Sequence, residues 1–158
     1  MFRDPALIPL SHQHQHALAL CVRIERAAIA TAEEAAQWRN EVALLFEQEI
    51  RFHFEAEERV LFPAAERFDE LRQLVDELKR DHVGLRAACA AAAQGRMDAA
   101  ELRGLAAQLA AHVRREEREL FEGMQRLLPD GELTKLGAAV ERDFRDSGLP
   151  GASCEIRH

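Results

Sequence analysis

The chain has 158 residues, a length that suits a single domain with a substantial core. Hydrophobic residues make up 47% and charged residues 31% of it, and the formal net charge of −7 comes without a basic stripe, which argues against nucleic-acid binding. No segment has the apolar length of a membrane span or of a signal peptide, so we expect a cytoplasmic protein with no membrane role.

The first predicted helix covers residues 9 to 30. Its apolar residues recur three and four positions apart, and His14 falls on this stripe with a leucine four residues away on either side. His12 shares its face with arginines and is expected to face solvent. His16 lies beside the stripe. We therefore place His14 inward and keep His16 as the main alternative.

The second predicted helix begins after Thr31, a residue suited to an N-cap, and extends a few residues past Pro63, which would kink or terminate it. His53 and Glu57 lie on its apolar stripe. Glu49 lies on the same stripe one turn earlier. It could accept a hydrogen bond from a metal-ligating histidine or pair with an arginine, and both alternatives stay open.

The third predicted helix spans residues 69 to 93, carries His82 on its stripe and ends at Gly95. The fourth runs from residue 98 to 128, with His112 and Glu116 facing inward. A shorter fifth helix covers residues 132 to 145. Because the long helices are joined by short connections, we predict an all-α fold: an antiparallel up-down-up-down four-helix bundle over residues 1–146, followed by a flexible C-terminal tail, 147–158.

Two segments of the sequence match each other. HFEAEERVLF begins at His53 and HVRREERELF begins at His112, and six of the ten positions agree. A histidine and a glutamate four residues apart lie on the same helix face, about 5–6 Å apart at their Cβ atoms, so they can hold one metal ion or reach two neighbouring ions. The repeat indicates either a duplicated helix pair or one chemical demand that is met twice.

The inward-facing ionisable residues are numerous. Burying them in one core would cost free energy without a metal ion or dense pairing. Glu58 and Glu117 lie beside arginines and one position away from the apolar stripe of their helices. We therefore expect them on a solvated or salt-bridged face. The predicted metal ligands are His14, His53, Glu57, His82, His112 and Glu116.

Four segments together resemble the hemerythrin-like, or HHE cation-binding, family: SHQHQHALAL, RFHFEAEERVLFP, LKRDHVGL and AAHVRREERELF. The resemblance covers most of the chain. It implies an antiparallel four-helix bundle with a carboxylate-bridged di-iron site, and it points to the same six ligands.

One position departs from the family pattern and two from that of its oxygen carriers. Gln13 stands where the family usually has an acidic residue, and Arg86 stands where the oxygen carriers have a further histidine. The oxygen carriers also have an aspartate five residues after the fourth-helix histidine, whereas Glu116 lies four residues after His112, as in the wider HHE group. Two six-coordinate irons have roughly twelve coordination positions, of which four histidines, two bridging carboxylates and a bridging oxygen would fill about ten. About two positions then stay open, roughly one more than with a histidine at position 86. This disfavours simple oxygen carriage.

We therefore predict a non-haem di-iron protein that binds or senses O2 or a related small molecule, such as peroxide or nitric oxide. The alternatives are a di-iron enzyme with peroxidase-like or iron-oxidising activity, or a protein of iron storage and handling, and whether the chain is an enzyme stays open. Zinc and manganese are alternatives to iron because both accept mixed imidazole and carboxylate ligands. A homodimer is also left open.

Overall fold

The computed structural model describes residues 2–149, which contain five helices and no strand. A 3-10 turn, Pro5–Leu7, leads into α1, Ile8–Arg26. Helix α2 covers residues 32–65, α3 is Asp69–Ala93, α4 covers residues 99–127 and α5 is Asp130–Ser147. The prediction of an all-α chain with a shorter fifth helix is confirmed for this part of the sequence.

The helix ends follow from local hydrogen bonding. At the start of α2 the Glu34 amide donates to Thr31 Oγ1 at 3.1 Å, and the Thr31 amide donates to the Glu34 carboxylate at 3.3 Å. The Glu34 carboxylate also accepts from the Ala30 amide at 2.7 Å. Helix α1 ends at Arg26, four residues before the predicted boundary, because the backbone of Ala27 is extended, with φ −74° and ψ 138°. Gly95, with a φ of 72°, follows α3 as predicted.

Two long helices contain wide turns that the sequence analysis did not predict. In α2, the turns Phe46–Ile50 and Glu57–Leu61 have π-helical hydrogen bonding, in which an amide donates to the carbonyl five residues earlier. Helix α4 has a matching wide turn, Glu116–Phe121. Each wide turn shifts the phase of the residues that follow, and such turns are frequent at functional sites.

Apolar side chains form two core clusters, which contact every long helix. The first, which we call the closed-end core, includes Leu10, Phe62, Leu78 and Phe121. The second, the open-end core, includes Ala17, Phe54, Leu85 and Leu109. Along each long helix the sequence passes from one cluster to the other at an inward-facing histidine, so a polar layer separates the two cores.

Helix α5 packs on the closed-end core through Leu133, Val140 and Phe144. Gly137 lets it approach the N-terminal turn, since a Cβ atom there would lie 2.8 Å from the Cα of Ala6. No helix within residues 2–149 combines the length and apolarity that crossing a bilayer requires. Of the predicted flexible tail, Ser147 belongs to α5 and Leu149 packs on the closed-end core, and residues 150–158 lie outside the described residues.

Candidate metal centre

Six ionisable side chains converge between the two cores, and each is at most 4% exposed. They are the only polar or charged residues classed as buried among residues 2–149. Each of the four long helices contributes to the group. The side chains are His14 from α1, His53 and Glu57 from α2, His82 from α3, and His112 and Glu116 from α4.

The first helix supplies His14 to this group, as its periodicity predicted. The Nε2 atom of His14 lies 2.9 Å from a carboxylate oxygen of Glu116. His12 and His16 are exposed, and His16 instead meets Glu49 at 2.9 Å on the surface. Among residues 2–149, Glu49 forms no hydrogen bond with any of the four inward histidines and no ion pair with an arginine, so the structure shows neither of the two alternatives left open for it.

His14 and His53 face one side of the paired glutamates, Glu57 and Glu116. We call this pair of histidines half-site I. The His53 Nε2 atom lies 2.8 Å from Glu57 Oε1, and the His14 Nε2 atom lies 2.9 Å from Glu116 Oε2. Among the two histidines of half-site I and the two glutamates, one candidate ligand atom from each side chain lies within 4.8 Å of the others. This spacing is compact enough to surround one metal ion.

The other two histidines, His82 and His112, form half-site II. The His82 Nε2 atom lies 3.2 Å from Glu57 Oε2, and the His112 Nε2 atom lies 2.9 Å from Glu116 Oε1. In this half too, one candidate ligand atom from each histidine and from each glutamate lies within 4.8 Å of the others. Each glutamate therefore turns one oxygen toward each half-site, which is the arrangement that two bridged metal ions require.

The second nitrogen of every imidazole is hydrogen-bonded on its outer side. A donating Nδ1–H fixes the tautomer and leaves the Nε2 lone pair facing inward, as in many histidine-ligated metal sites. The four outer acceptors are two glutamates, one aspartate and one glutamine. The pairs are His14–Glu117 at 2.7 Å, His53–Gln13 at 2.6 Å, His82–Glu58 at 3.0 Å and His112–Asp81 at 3.0 Å.

The prediction for Glu58 and Glu117 needs correction. Each does form an ion pair, Glu58 with Arg86 at 2.7 Å and Glu117 with Arg3 at 2.7 Å. However, both are half-buried, and each carboxylate also accepts from an inward histidine. The doubled glutamate in both copies of the repeated motif was the sequence signal for this role, because two identical positions beside the ligands call for a shared explanation.

The inner atoms fit a metal pair. The Nε2 atoms of all four histidines and both oxygens of each glutamate are buried without a hydrogen-bond partner. Because each Nδ1–H group donates outward, the lone pair of each Nε2 atom points inward and lies close to a carboxylate oxygen. Only positive charge between them, as protons or as metal ions, removes this repulsion. Mixed imidazole and carboxylate donors suit iron, manganese and zinc.

The pKa values show how strongly the site attracts positive charge. Burial alone would lower the pKa of His82, but the carboxylates of Glu116, Glu57 and Glu58 raise it to about 11. Burial likewise disfavours the charged form of His112, yet Glu116 and Asp81 raise its pKa to about 9.

The glutamates are shifted in the opposite direction. Burial and the Glu116 carboxylate oppose ionisation of Glu57, but the imidazoles of His53 and His14 lower its pKa to about 2. Burial opposes ionisation of Glu116 as well, but the imidazoles of His112, His14 and His82 hold its pKa well below the usual range. Both inner glutamates are therefore carboxylates at neutral pH, and a cation entering the site meets charged ligands.

A narrow cavity adjoins half-site I. Both histidines of half-site I line it together with Gln13 and Glu49, and it also reaches His112 and Glu116. Its apolar walls are Ala17, Ile50, Phe54, Leu109 and Val113. The other histidine of half-site II, His82, is covered, because the Phe54 ring stacks on it with ring centroids 3.9 Å apart and Arg86 Cζ lies 5.5 Å from the Phe54 centroid. The cavity therefore gives a small molecule an approach to both histidines of half-site I but to only one of half-site II.

A family model described as "Hemerythrin HHE cation binding domain" matches residues 9–123, which include all six converging residues. No curated protein and no solved structure matches the chain significantly.

Proposed function

The chain belongs to the hemerythrin HHE cation-binding family, and we propose that its six buried ligands hold two iron ions with Glu57 and Glu116 as bridges. In this proposal, half-site I holds one ion and half-site II holds the other. The observation that carries it is the division of the two glutamates, each of which directs one oxygen to each pair of imidazoles.

Iron is the metal that we propose, with zinc and manganese as alternatives of the same ligand chemistry. A pair of irons would supply a reducible centre that takes up a small molecule such as O2, peroxide or nitric oxide. Two nitrogens and two oxygens from the protein leave positions for such a ligand around a six-coordinate ion. We further propose the antiparallel up-down-up-down order for the four long helices, since their connections are only a few residues long.

The protein's own residues have separable roles in this function. The outer acceptors hold the imidazoles in one tautomer, so that ligand exchange does not require the rings to rotate. The cavity beside half-site I admits small neutral molecules, because most of its wall is apolar. In half-site II the Phe54 ring and the Arg86–Glu58 ion pair cover His82, whereas both histidines of half-site I line the cavity, so we assign ligand binding to half-site I.

Metal analysis tests the proposal directly. After anaerobic reconstitution with ferrous iron, we expect about two irons per chain, the number implied by two bridged half-sites. His14→Ala should lower the iron content, whereas His16→Ala, which removes an exposed histidine from the same helix, should not. Less than one iron per chain, or equal effects of the two variants, would rule the proposed centre out.

Binding and turnover are distinguished by mixing the reduced protein with O2, nitric oxide or peroxide in a stopped-flow instrument. A spectrum that persists and reverses when the gas is removed supports binding or sensing. Repeated consumption of peroxide supports the alternative, a peroxidase-like enzyme.

A further inference from the structure

The two half-sites correspond position by position. On α1 and α3, Gln13–His14 matches Asp81–His82, and the repeated motif of α2 matches that of α4. The hydrogen bonds follow the same rule in both halves. The residue before the inward histidine accepts from the histidine of the next helix, as in Gln13–His53 and Asp81–His112.

The second glutamate of each motif completes the correspondence. Glu117 accepts from His14, and Glu58 accepts from His82. Each of these glutamates is neutralised by an arginine, Glu117 by Arg3 and Glu58 by Arg86, through an ion pair of 2.7 Å in both cases. These outer glutamates therefore do not distinguish the two half-sites.

The symmetry of charge is broken at positions 13 and 81. Gln13 is a neutral amide, whereas Asp81 is a carboxylate whose Oδ2 lies 3.0 Å from His112 Nδ1. Among residues 2–149, no arginine forms an ion pair with Asp81, and the nearby Arg115 pairs with Glu77 and Glu119. The outer acceptors and their arginines thus sum to zero charge around half-site I and to −1 around half-site II.

We propose that half-site II binds a divalent cation more tightly than half-site I, and that the amide of Gln13 is the residue that keeps half-site I weaker. This inference rests on the proposed two-metal function. A carboxylate acceptor makes the imidazole a stronger electron donor and adds a negative charge near the ion, and a neutral amide does neither to the same degree. Gln13 is accordingly a positioning residue that acts through His53.

The position of the cavity makes this difference in cation affinity relevant to the binding of small molecules. Because the cavity reaches both histidines of half-site I but only His112 of half-site II, the more weakly held cation is also the one that small molecules and water approach more readily. At limiting metal supply the chain would hold one ion in half-site II, and the small-molecule site beside the cavity would form only when a second ion is bound.

Variants that each retain one half-site provide the test, with Co²⁺ as an optical probe under anaerobic conditions. Stepwise constants of the intact chain are insufficient, since the first ion repels the second through the shared glutamates. His53→Ala leaves half-site II intact, and His112→Ala leaves half-site I intact. We expect the His53→Ala chain to bind its single Co²⁺ roughly 10- to 100-fold more tightly than the His112→Ala chain binds its own. Changes of this size are typical when the hydrogen-bond partner of a ligating histidine is altered.

The matched substitutions exchange amide and carboxylate without changing the number of heavy atoms. Gln13→Glu in the His112→Ala chain should tighten Co²⁺ binding roughly tenfold or more, and Asp81→Asn in the His53→Ala chain should weaken it by a similar factor. In the chain with all six ligands, Gln13→Glu should tighten the second stepwise constant and Asp81→Asn should weaken the first. Circular dichroism of each metal-free variant checks that the helices are retained.

Equal dissociation constants for the two half-site variants, or no response to Gln13→Glu in either background, would overturn this inference while leaving two bound ions intact. Failure of the unmodified protein to bind two Co²⁺ ions would instead overturn the proposed function. The number of bound ions thus tests the function, and their relative affinities test the role of Gln13.

Discussion

Half-site I and half-site II contain the same inner ligands but have different surroundings. In each, the phenylalanine that ends a repeated motif packs against an imidazole, Phe121 on His14 and Phe62 on His82, with ring centroids 5.3 Å apart in both cases. The second position of the motif differs. Phe54 stacks on His82, whereas its counterpart Val113 is smaller and lines the cavity beside half-site I. Inner ligands therefore determine what the site binds, and neighbouring side chains determine how its two halves differ.

The largest effect is expected from the ligands that both halves share. Glu57→Ala removes one oxygen from each half-site, so we expect it to abolish binding of both ions. His53→Ala should remove only one ion. Metal content after reconstitution measures both outcomes, and Glu55→Ala, which changes a glutamate two positions away that pairs with Arg59, is the control. A chain with Glu57→Ala that still held two ions would show that the glutamates are not bridges.

The next effect is a rise of metal affinity with pH. The pKa of His82 is raised to about 11 and that of His112 to about 9, so both imidazoles are protonated at neutral pH without a metal. Metal binding must release these protons, and apparent affinity should increase about tenfold per pH unit for each proton released. Calorimetry in buffers of different ionisation enthalpy counts the protons. Half-site II, tested as His53→Ala, should release protons on binding, and a pH-independent affinity would contradict the protonated state.

Exchanging the residues at the second position of the repeated motif, Phe54 and Val113, should alter the access of small molecules to the two half-sites. Val113→Phe would fill part of the cavity, so we expect slower reaction of the reduced protein with nitric oxide while metal content is retained. Should the walls not adjust, overpacking would also destabilise the fold by about 1–3 kcal/mol. Phe54→Val is the mirror substitution and should leave His82 less covered. Unchanged rates in Val113→Phe would indicate that small molecules reach the centre by another route.

The smallest effect on the metal centre is expected at α5, which has no counterpart in the paired arrangement. Gly137→Ala places a methyl group against the backbone of Ala6 at 2.8 Å and should destabilise the protein by about 1–3 kcal/mol. Gly104→Ala is the matched control: its added methyl group meets open space, and the helix should gain about 0.5–1 kcal/mol. Thermal unfolding measures both. A loss of bound metal in Gly137→Ala before unfolding would show that α5 supports the centre directly.

Much of the helical architecture could be predicted because its signals are local. The capping residue Thr31, the terminal Gly95 and the bounds of α3 are all present as expected. The wide turns Glu57–Leu61 and Glu116–Phe121 could not be predicted, since nothing in the local composition marks them. The identity of the metal and of the small molecule stays a prediction, because neither is encoded in helix periodicity.

The outer hydrogen bonds show most clearly where local reasoning ends. Periodicity places a residue on a face of its own helix, but it does not determine the register and rotation of the neighbouring helix. Glu58 and Glu117 lie one step from the inward stripe, and only the packed bundle brings them to histidines of other helices. The same holds for Gln13, which was noted as a departure from the family pattern and proves to accept from His53.

By itself, the sequence determined the helices, their inward faces and the six ionisable residues that those faces carry, since spacing along one helix is sufficient for each. Only the tertiary structure decided how these residues divide into two half-sites, which acceptor holds each imidazole and which histidines line a cavity. Those properties depend on distances between helices of a few ångströms, and such distances arise from the packing of all the side chains together.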